Sequence, residues 1–161
     1  MPDMLVRLYD LPDLAPRLEG LKHAGIEVRR AIAPEKHIVV AWVRERFVEA
    51  WASECEVSFS NHPVSCFIAR RDQAPLGFAC HDATAKDFFG PTGVAEAERG
   101  KGIGTALLLA TLHAMAAQGY AYAIIGGVGP ADYYARTVGA VPIAGSTPGI
   151  YGGLLYSPRD R

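Results

Sequence analysis

The chain is short of cysteine, short of long apolar runs and without a surplus of charge of either sign. Each shortage closes a class of function. Three cysteines, Cys55, Cys66 and Cys80, occur in 161 residues, an odd number with no CxxC spacing. This excludes a disulfide scaffold and a zinc knuckle, and predicts reduced thiols in a cytoplasmic protein. Five scattered histidines with no i, i+4 pair add no ligand pattern, so no metal site is expected. Sixteen Lys+Arg against seventeen Asp+Glu leave a net charge of -1. Duplex-binding proteins usually carry a basic excess, so nucleic acid is not an expected partner. No apolar run approaches the roughly 20 residues of a membrane helix. The start, Met1-Pro2-Asp3-Met4, lacks the basic and apolar regions of a secretory signal.

What is present reads as one ordinary globular domain, half apolar and one fifth charged. Met4 to Leu11 reads as a strand, and Pro12 to His23 as a helix stopped by Gly25. From Pro34, Val39, Val43, Phe47, Trp51 and Cys55 follow at i+4 steps, one apolar stripe of a helical region ending by Asn61-His62-Pro63. Val64 to Arg70 and Leu76 to Thr84 read as a hairpin across Arg71 to Pro75. Phe88 to Val94 is a further strand, Ile103 to about Gln118 a helix capped by Gly119, and Tyr120 to Ile125 a buried strand parallel to the one before that helix. A short helix runs from Pro130 to about Val138. Val141 to Ala144 and Ile150 to Tyr156 are expected to close the sheet. The class is α/β, a mixed and mostly antiparallel sheet flanked by helices. Cys80-His81-Asp82 looks like nucleophile, base and orienter. Neighbours in a strand point to opposite faces, however, so Cys80 and His81 do not meet as a hydrolase pair.

The chemistry concentrates between Val94 and Thr105, where a strand ends, a glycine-rich turn follows and a helix begins. The first amides of a helix have no intrahelical partner and carry the positive end of its dipole. Gly100, Gly102 and Gly104 strip side chains from the turn, so its N–H groups can close on an anion. Arg99 and Lys101 add positive charge. The result is a cradle for phosphate, most naturally a pyrophosphate. It is not a Walker loop, because Gly102 and no Ser or Thr follows Lys101. Its glycine spacing is not that of a dinucleotide fingerprint either.

The stretch Arg99-Gly100-Lys101-Gly102-Ile103-Gly104, with Val94 before it and Thr105-Ala106-Leu107-Leu108 after it, resembles the acetyl-CoA motif of the GCN5-related N-acetyltransferase (GNAT) superfamily. The hairpin CFIARRDQAPLGFA and the segment Tyr133-Tyr134-Ala135-Arg136-Thr137-Val138-Gly139-Ala140 are similar to further parts of that family. The likeness spans about Val64 to Tyr156, with residues 1–63 forming a less typical N-terminal part. It implies two splayed strands with the pantetheine arm of acetyl-CoA paired to the first of them at Val94. The amides of Gly100, Lys101, Gly102, Ile103, Gly104 and Thr105, with Arg99, would hold the pyrophosphate. An acceptor amine attacks the thioester directly, and the amide of Val94 or a neighbour polarises its oxygen. The tyrosine that protonates the departing thiolate is Tyr134, with Tyr133 the alternative. Glu96, Asp82 and His81 are candidates for the base that frees the amine, Glu96 foremost. The acceptor is a small-molecule or peptide amine that the sequence does not specify. A homodimer stays open, as does a non-catalytic module that only binds acyl-CoA.

Overall fold

The sheet grows outward from one hairpin. Strands β3 (Cys66–Arg71) and β4 (Ala74–His81) pair antiparallel across a turn at Asp72-Gln73, where Asp72 takes φ +54°. Aspartate tolerates this left-handed conformation better than most residues. The structure, a computed structural model, describes residues 1–158. The far edge of β4 pairs antiparallel with β5 (Phe88–Val94). The chain then crosses through helix α4 (Ile103–Ala117) into β6 (Tyr122–Ile125), which lies parallel to β5. Strand β1 (Met4–Arg7) pairs antiparallel with β6, and β7 (Val141–Pro142) with β1. With β2 (Glu27–Arg30) on the outer edge of β3, the order is β2-β3-β4-β5-β6-β1-β7.

Alternation along the central strands feeds two cores. Phe67, Ala69 and Ala79 face α4 and helix α1 (Ala15–His23). Cys66, Ile68, Phe78 and Cys80 face helices α2 (Lys36–Arg46) and α3 (Glu49–Ser58). A fifth helix, α5 (Ala131–Val138), packs Tyr134 and Val138 into the first core. In the second core Val43 is fully buried. Val43→Ala removes two methyl-sized groups there and is expected to cost about 2 kcal/mol. That lowers the Tm by about 4–8 °C, measurable by calorimetry.

Four expectations change. The helical stripe from Val39 to Cys55 is two helices, because Phe47 and Val48 take extended ψ values of -147° and 154°. All five stripe residues still reach the same core, since the break re-aims α3 over the same sheet face. Strand β2 lies in a stretch, residues 27–30, to which the sequence assigns no element. Three of its four residues are charged, and it is held by contacts distant in sequence. Arg70 pairs with Glu27 at 2.6 Å, and the Arg30 guanidinium lies 4.8 Å from the Phe67 ring centre. The last expected strand, Ile150 to Tyr156, is a 3-10 turn at Gly149–Tyr151 followed by irregular chain. Gly149 and Gly153 have φ of +60° and +76°, values incompatible with a strand. The three cysteines, without pattern along the chain, meet in space. Their sulfur atoms lie within 4.8 Å of one another, and all three residues are fully buried.

Candidate active site

Strands β5 and β6 pair only through Phe88 opposite Ile124 and Phe89 opposite Ile125. Beyond that point they part. Across the other edge, the Ala95 N–H donates to the Leu76 carbonyl at 2.8 Å. Successive residues of a strand turn their backbone groups to opposite sides, so Gly93 also faces β4, while Thr92 and Val94 face the gap. That edge is open to a ligand able to pair with it as an added strand. The Val94 carbonyl accepts a bond from Arg99 Nε at 3.3 Å, which holds the guanidinium beside the edge.

The gap leads to the start of α4. Gly100 and Gly102 take φ of +82° and +85°, so the turn depends on glycine at both places. Gly102 is the N-cap residue and no side chain caps the helix. The first intrahelical bond runs from the Ala106 N–H to the Gly102 carbonyl at 3.1 Å. The amides of Ile103, Gly104 and Thr105 therefore lie ahead of the helical ladder, at the positive end of a 15-residue helix. A methyl group at Gly104 would meet only Val94 Cγ2, at 3.6 Å.

Two cations are fixed beside this turn by one carboxylate. Glu98 accepts bonds from Arg71 at 2.9 Å and Lys101 at 2.6 Å, which hold its carboxyl down at about 2. Arg71 sits at the end of β3, and its part in this cluster was not evident from the sequence. A groove of about 480 Å³ continues from Gly102 toward α1, past Arg17, Arg71 and Lys101.

Both tyrosines of α5 reach this region differently. The Tyr133 hydroxyl and Thr105 Oγ1 lie 2.7 Å apart, tying α5 to the first turn of α4. Tyr134 is buried, its ring set edge-on to Phe89 with centroids 6.5 Å apart, next to the point where the strands part. Among the described residues none hydrogen-bonds its hydroxyl. Burial, then the neighbouring Tyr133, pushes this phenol up to about 12.

The three candidate bases stand in different surroundings, and His81 lies opposite Phe89 in the register of β4 and β5. Glu96 is exposed on the 3-10 turn Glu96–Glu98, past the end of β5, whereas Tyr134 packs at the beginning of that strand. His81 is fully buried, and burial lowers its pKa. Its Nδ1 lies 2.7 Å from Asp82 Oδ2. The other oxygen of Asp82 accepts from the Asp87 N–H at 2.7 Å and the Tyr120 hydroxyl at 2.8 Å. This carboxylate orders a loop and is already occupied.

Groups to which the sequence assigns no part in the site stand on the opposite face of the gap. The Phe47 ring covers Gly93 so closely that a methyl group there would meet it at 2.5 Å. Trp51 packs on Phe47 with ring centroids 5.3 Å apart. Glu54, one turn further along α3, accepts a hydrogen bond from Thr84 Oγ1. The Tyr151 hydroxyl occupies the space a side chain at Gly126 would need, beside Phe88. The i+4 spacing marks Phe47 and Trp51 only as core residues, and nothing in the spacing brings Glu54 and Tyr151, almost a hundred positions apart, to one place.

The Acetyltransferase (GNAT) family model matches residues 29–138 of this chain. The chain belongs to the GNAT acetyltransferase family. The match begins in β2 and includes α2 and α3, so the N-terminal part takes in more of the family's pattern than the motifs alone suggest. Among solved structures, the glucosamine N-acetyltransferase region of a fungal multi-domain GH3 beta-N-acetylglucosaminidase is similar at 19% identity and a TM-score of 0.70, over 88% of this chain and 19% of that one. A GCN5-related N-acetyltransferase from Sphaerobacter thermophilus is similar at 22% identity and a TM-score of 0.69, over 88% of this chain and 48% of that one. A third, from Kribbella flavida, shares 19% identity with a TM-score of 0.54, over 88% and 53%. These likenesses are in fold, and the GNAT chain described here spans about half or less of each of these proteins. No curated protein matches it. None of the helices in the described residues is long and apolar enough to cross a membrane.

Proposed function

We propose that this GNAT protein transfers the acetyl group of acetyl-CoA to a primary amine by direct attack in a ternary complex. The observation that carries the reading is the uncapped start of α4 at the end of an open strand edge. The diphosphate of coenzyme A meets the free amides of Ile103, Gly104 and Thr105, with the turn amides of Gly100, Lys101 and Gly102 around it. Arg99 and Lys101 supply countercharge. The pantetheine arm pairs with the gap-facing groups of Val94 and Thr92. The thioester then lies toward Phe89 and Tyr134, where the amide of Thr92 or Val94 polarises its oxygen. The Tyr134 hydroxyl faces the departing sulfur.

The amine nitrogen bonds to the acetyl carbon, the C–S bond breaks, and its electron pair stays on sulfur. No enzyme nucleophile takes part. Acceptor contacts come from the α2–α3 face and the segment after Pro148, and a small molecule or a peptide with a primary amine fits that description. The test is a panel of primary amines incubated with acetyl-CoA while free thiol is followed. Thiol release that depends on an amine supports transfer. Thermal stabilisation by acetyl-CoA without release for any amine makes the chain an acyl-CoA-binding module. Stabilisation by ATP or NAD in preference to coenzyme A overturns the cradle assignment.

A further inference from the structure

The sequence puts Glu96 foremost as the base that frees the acceptor amine, but Glu96 is exposed past the end of β5, and the residues on the acceptor face supply another candidate. We propose that Glu54 is this base, and that the acceptor it serves is a primary ammonium carried on an apolar body; the proposal rests on the acetyltransferase reading.

Three observations place Glu54. It lies on α3 one turn after Trp51, whose ring packs on Phe47, and Phe47 covers the backbone of β5 at Gly93. It is tied to the β4–β5 loop by the Thr84 hydroxyl, which bonds Oε1. Among the described residues its second oxygen, Oε2, has no hydrogen-bond partner, and the side chain is only half-buried, so that oxygen is open to an incoming donor. Tyr151, from the C-terminal segment, stands near enough for the Glu54 charge to help raise its phenol to about 12, after burial. Tyr151 in turn abuts Gly126 and Phe88, where β5 and β6 stop pairing. A carboxylate therefore stands on the acceptor side of the parted strands, and Tyr134 on the other.

The surroundings select the substrate. Phe47 and Trp51 on the α2–α3 side, and Tyr151 with Phe88 at the end of the strand pairing, place aromatic rings on the same side of the gap as this carboxylate, and aromatic faces attract a cation as well as an apolar body. Burial shifts the Glu54 carboxyl upward, toward the range where a base works near neutral pH. The titratable groups facing it from neighbouring elements are Tyr151 and, beyond it, Asp3. From the β4–β5 loop the facing group is the uncharged Thr84.

The step balances as follows. The ammonium gives one proton to Oε2 of Glu54, and the freed lone pair on nitrogen bonds the acetyl carbon. As the amide forms, nitrogen sheds a second proton, and the C–S bond breaks with its electrons on sulfur. One of the two protons is matched by protonation of the thiolate, and the other leaves Glu54 for water.

The experiment compares the full chain with Glu54→Gln and Glu54→Asp, using 2-phenylethylamine and acetyl-CoA, from pH 6.5 to 10 on the scale where such amines titrate at about 10. Glutamine keeps the size of the side chain and its bond to Thr84. The expected result is an unchanged acetyl-CoA-induced shift in Tm, with kcat/KM lowered at least tenfold at pH 7. The deficit narrows toward pH 10, where the free amine needs no base. The aspartate variant recovers part of the loss at pH 7, which a merely structural role would not produce. A wild-type chain that acetylates the amine, with a Glu54→Gln profile superimposed on it, overturns Glu54 as base and leaves the acetyltransferase reading standing. A wild-type chain that turns over ethanolamine but not 2-phenylethylamine overturns the proposed acceptor class. No turnover of any amine overturns the acetyltransferase reading itself.

Discussion

Glutamate in place of Gly104 is expected to abolish the thermal stabilisation that acetyl-CoA gives the wild-type chain, while leaving the unliganded protein at least as stable. A ligand at a hundredfold excess over its Kd stabilises the folded state by about 2.7 kcal/mol. For a chain of this length that is about 5–11 °C in Tm. The variant separates binding from folding because of where Gly104 sits. Its backbone is helical, and an added Cβ makes only an ordinary contact with Val94. Replacing glycine inside a helix gains propensity, and an acidic residue in the first turn favours the dipole. The same carboxylate stands against the free amides of Ile103 and Thr105 and repels the diphosphate. A full shift in the variant, by differential scanning fluorimetry, would place the diphosphate elsewhere. Gly102 is the poorer probe, because at φ +85° any other residue strains the turn itself.

Removing the Tyr134 hydroxyl is expected to lower kcat about 100-fold and to leave the acetyl-CoA-induced shift in Tm unchanged. Burial, then Tyr133, pushes the phenol up to about 12, well above a free thiol at about 8.5. Complete proton transfer from this phenol to a thiolate is thus uphill. Tyr134 acts first as a hydrogen-bond donor to the sulfur as its charge develops, and solvent completes the protonation. The sign of the pH dependence follows. A raised pKa keeps the donor form present as pH rises, so the wild-type rate shows no fall from this group below about pH 11. The acetyl-CoA-induced Tm shift of Tyr134→Phe and wild type, and kcat of both followed as pH rises toward about 11, check these statements. Equal turnover removes Tyr134 from the mechanism, and Tyr133→Phe then tests the phenol bonded to Thr105.

The parts of the molecule legible in the sequence are those where local chemistry leaves one solution. A strand, alternate glycines and an apolar helix from Ile103 to Ala117 define the uncapped turn at the start of α4 without help from other elements. The hairpin of β3 and β4 is equally local, and both of its strands alternate. The break at Phe47-Val48 is different. An i+4 pattern continues straight through it, because the two helices cover one face of one sheet and need the same apolar residues. Strand β2 offers little alternation to read, and its stability comes from partners such as Arg70 and Phe67, some forty positions away. The face proposed to meet the acceptor was illegible for the same reason. Glu54, Thr84 and Tyr151 become neighbours only after the sheet has assembled, and each alone looks like an ordinary surface residue. Gly126-Gly127 shows the limit well. The pair reads as a loop, and only the fold shows that the ring of Tyr151 takes up the room.

The burial of Cys55, Cys66 and Cys80 has a practical consequence at the bench. A thiol-reactive chromogenic reagent added to the native chain meets no accessible thiol from the protein, so colour that develops quickly during turnover counts coenzyme A released and little else. Slow modification of the same three side chains requires their core to open. Its rate therefore gauges how often the α2–α3 layer lifts from the strands, and a bound acyl-CoA that clamps β5 should slow it.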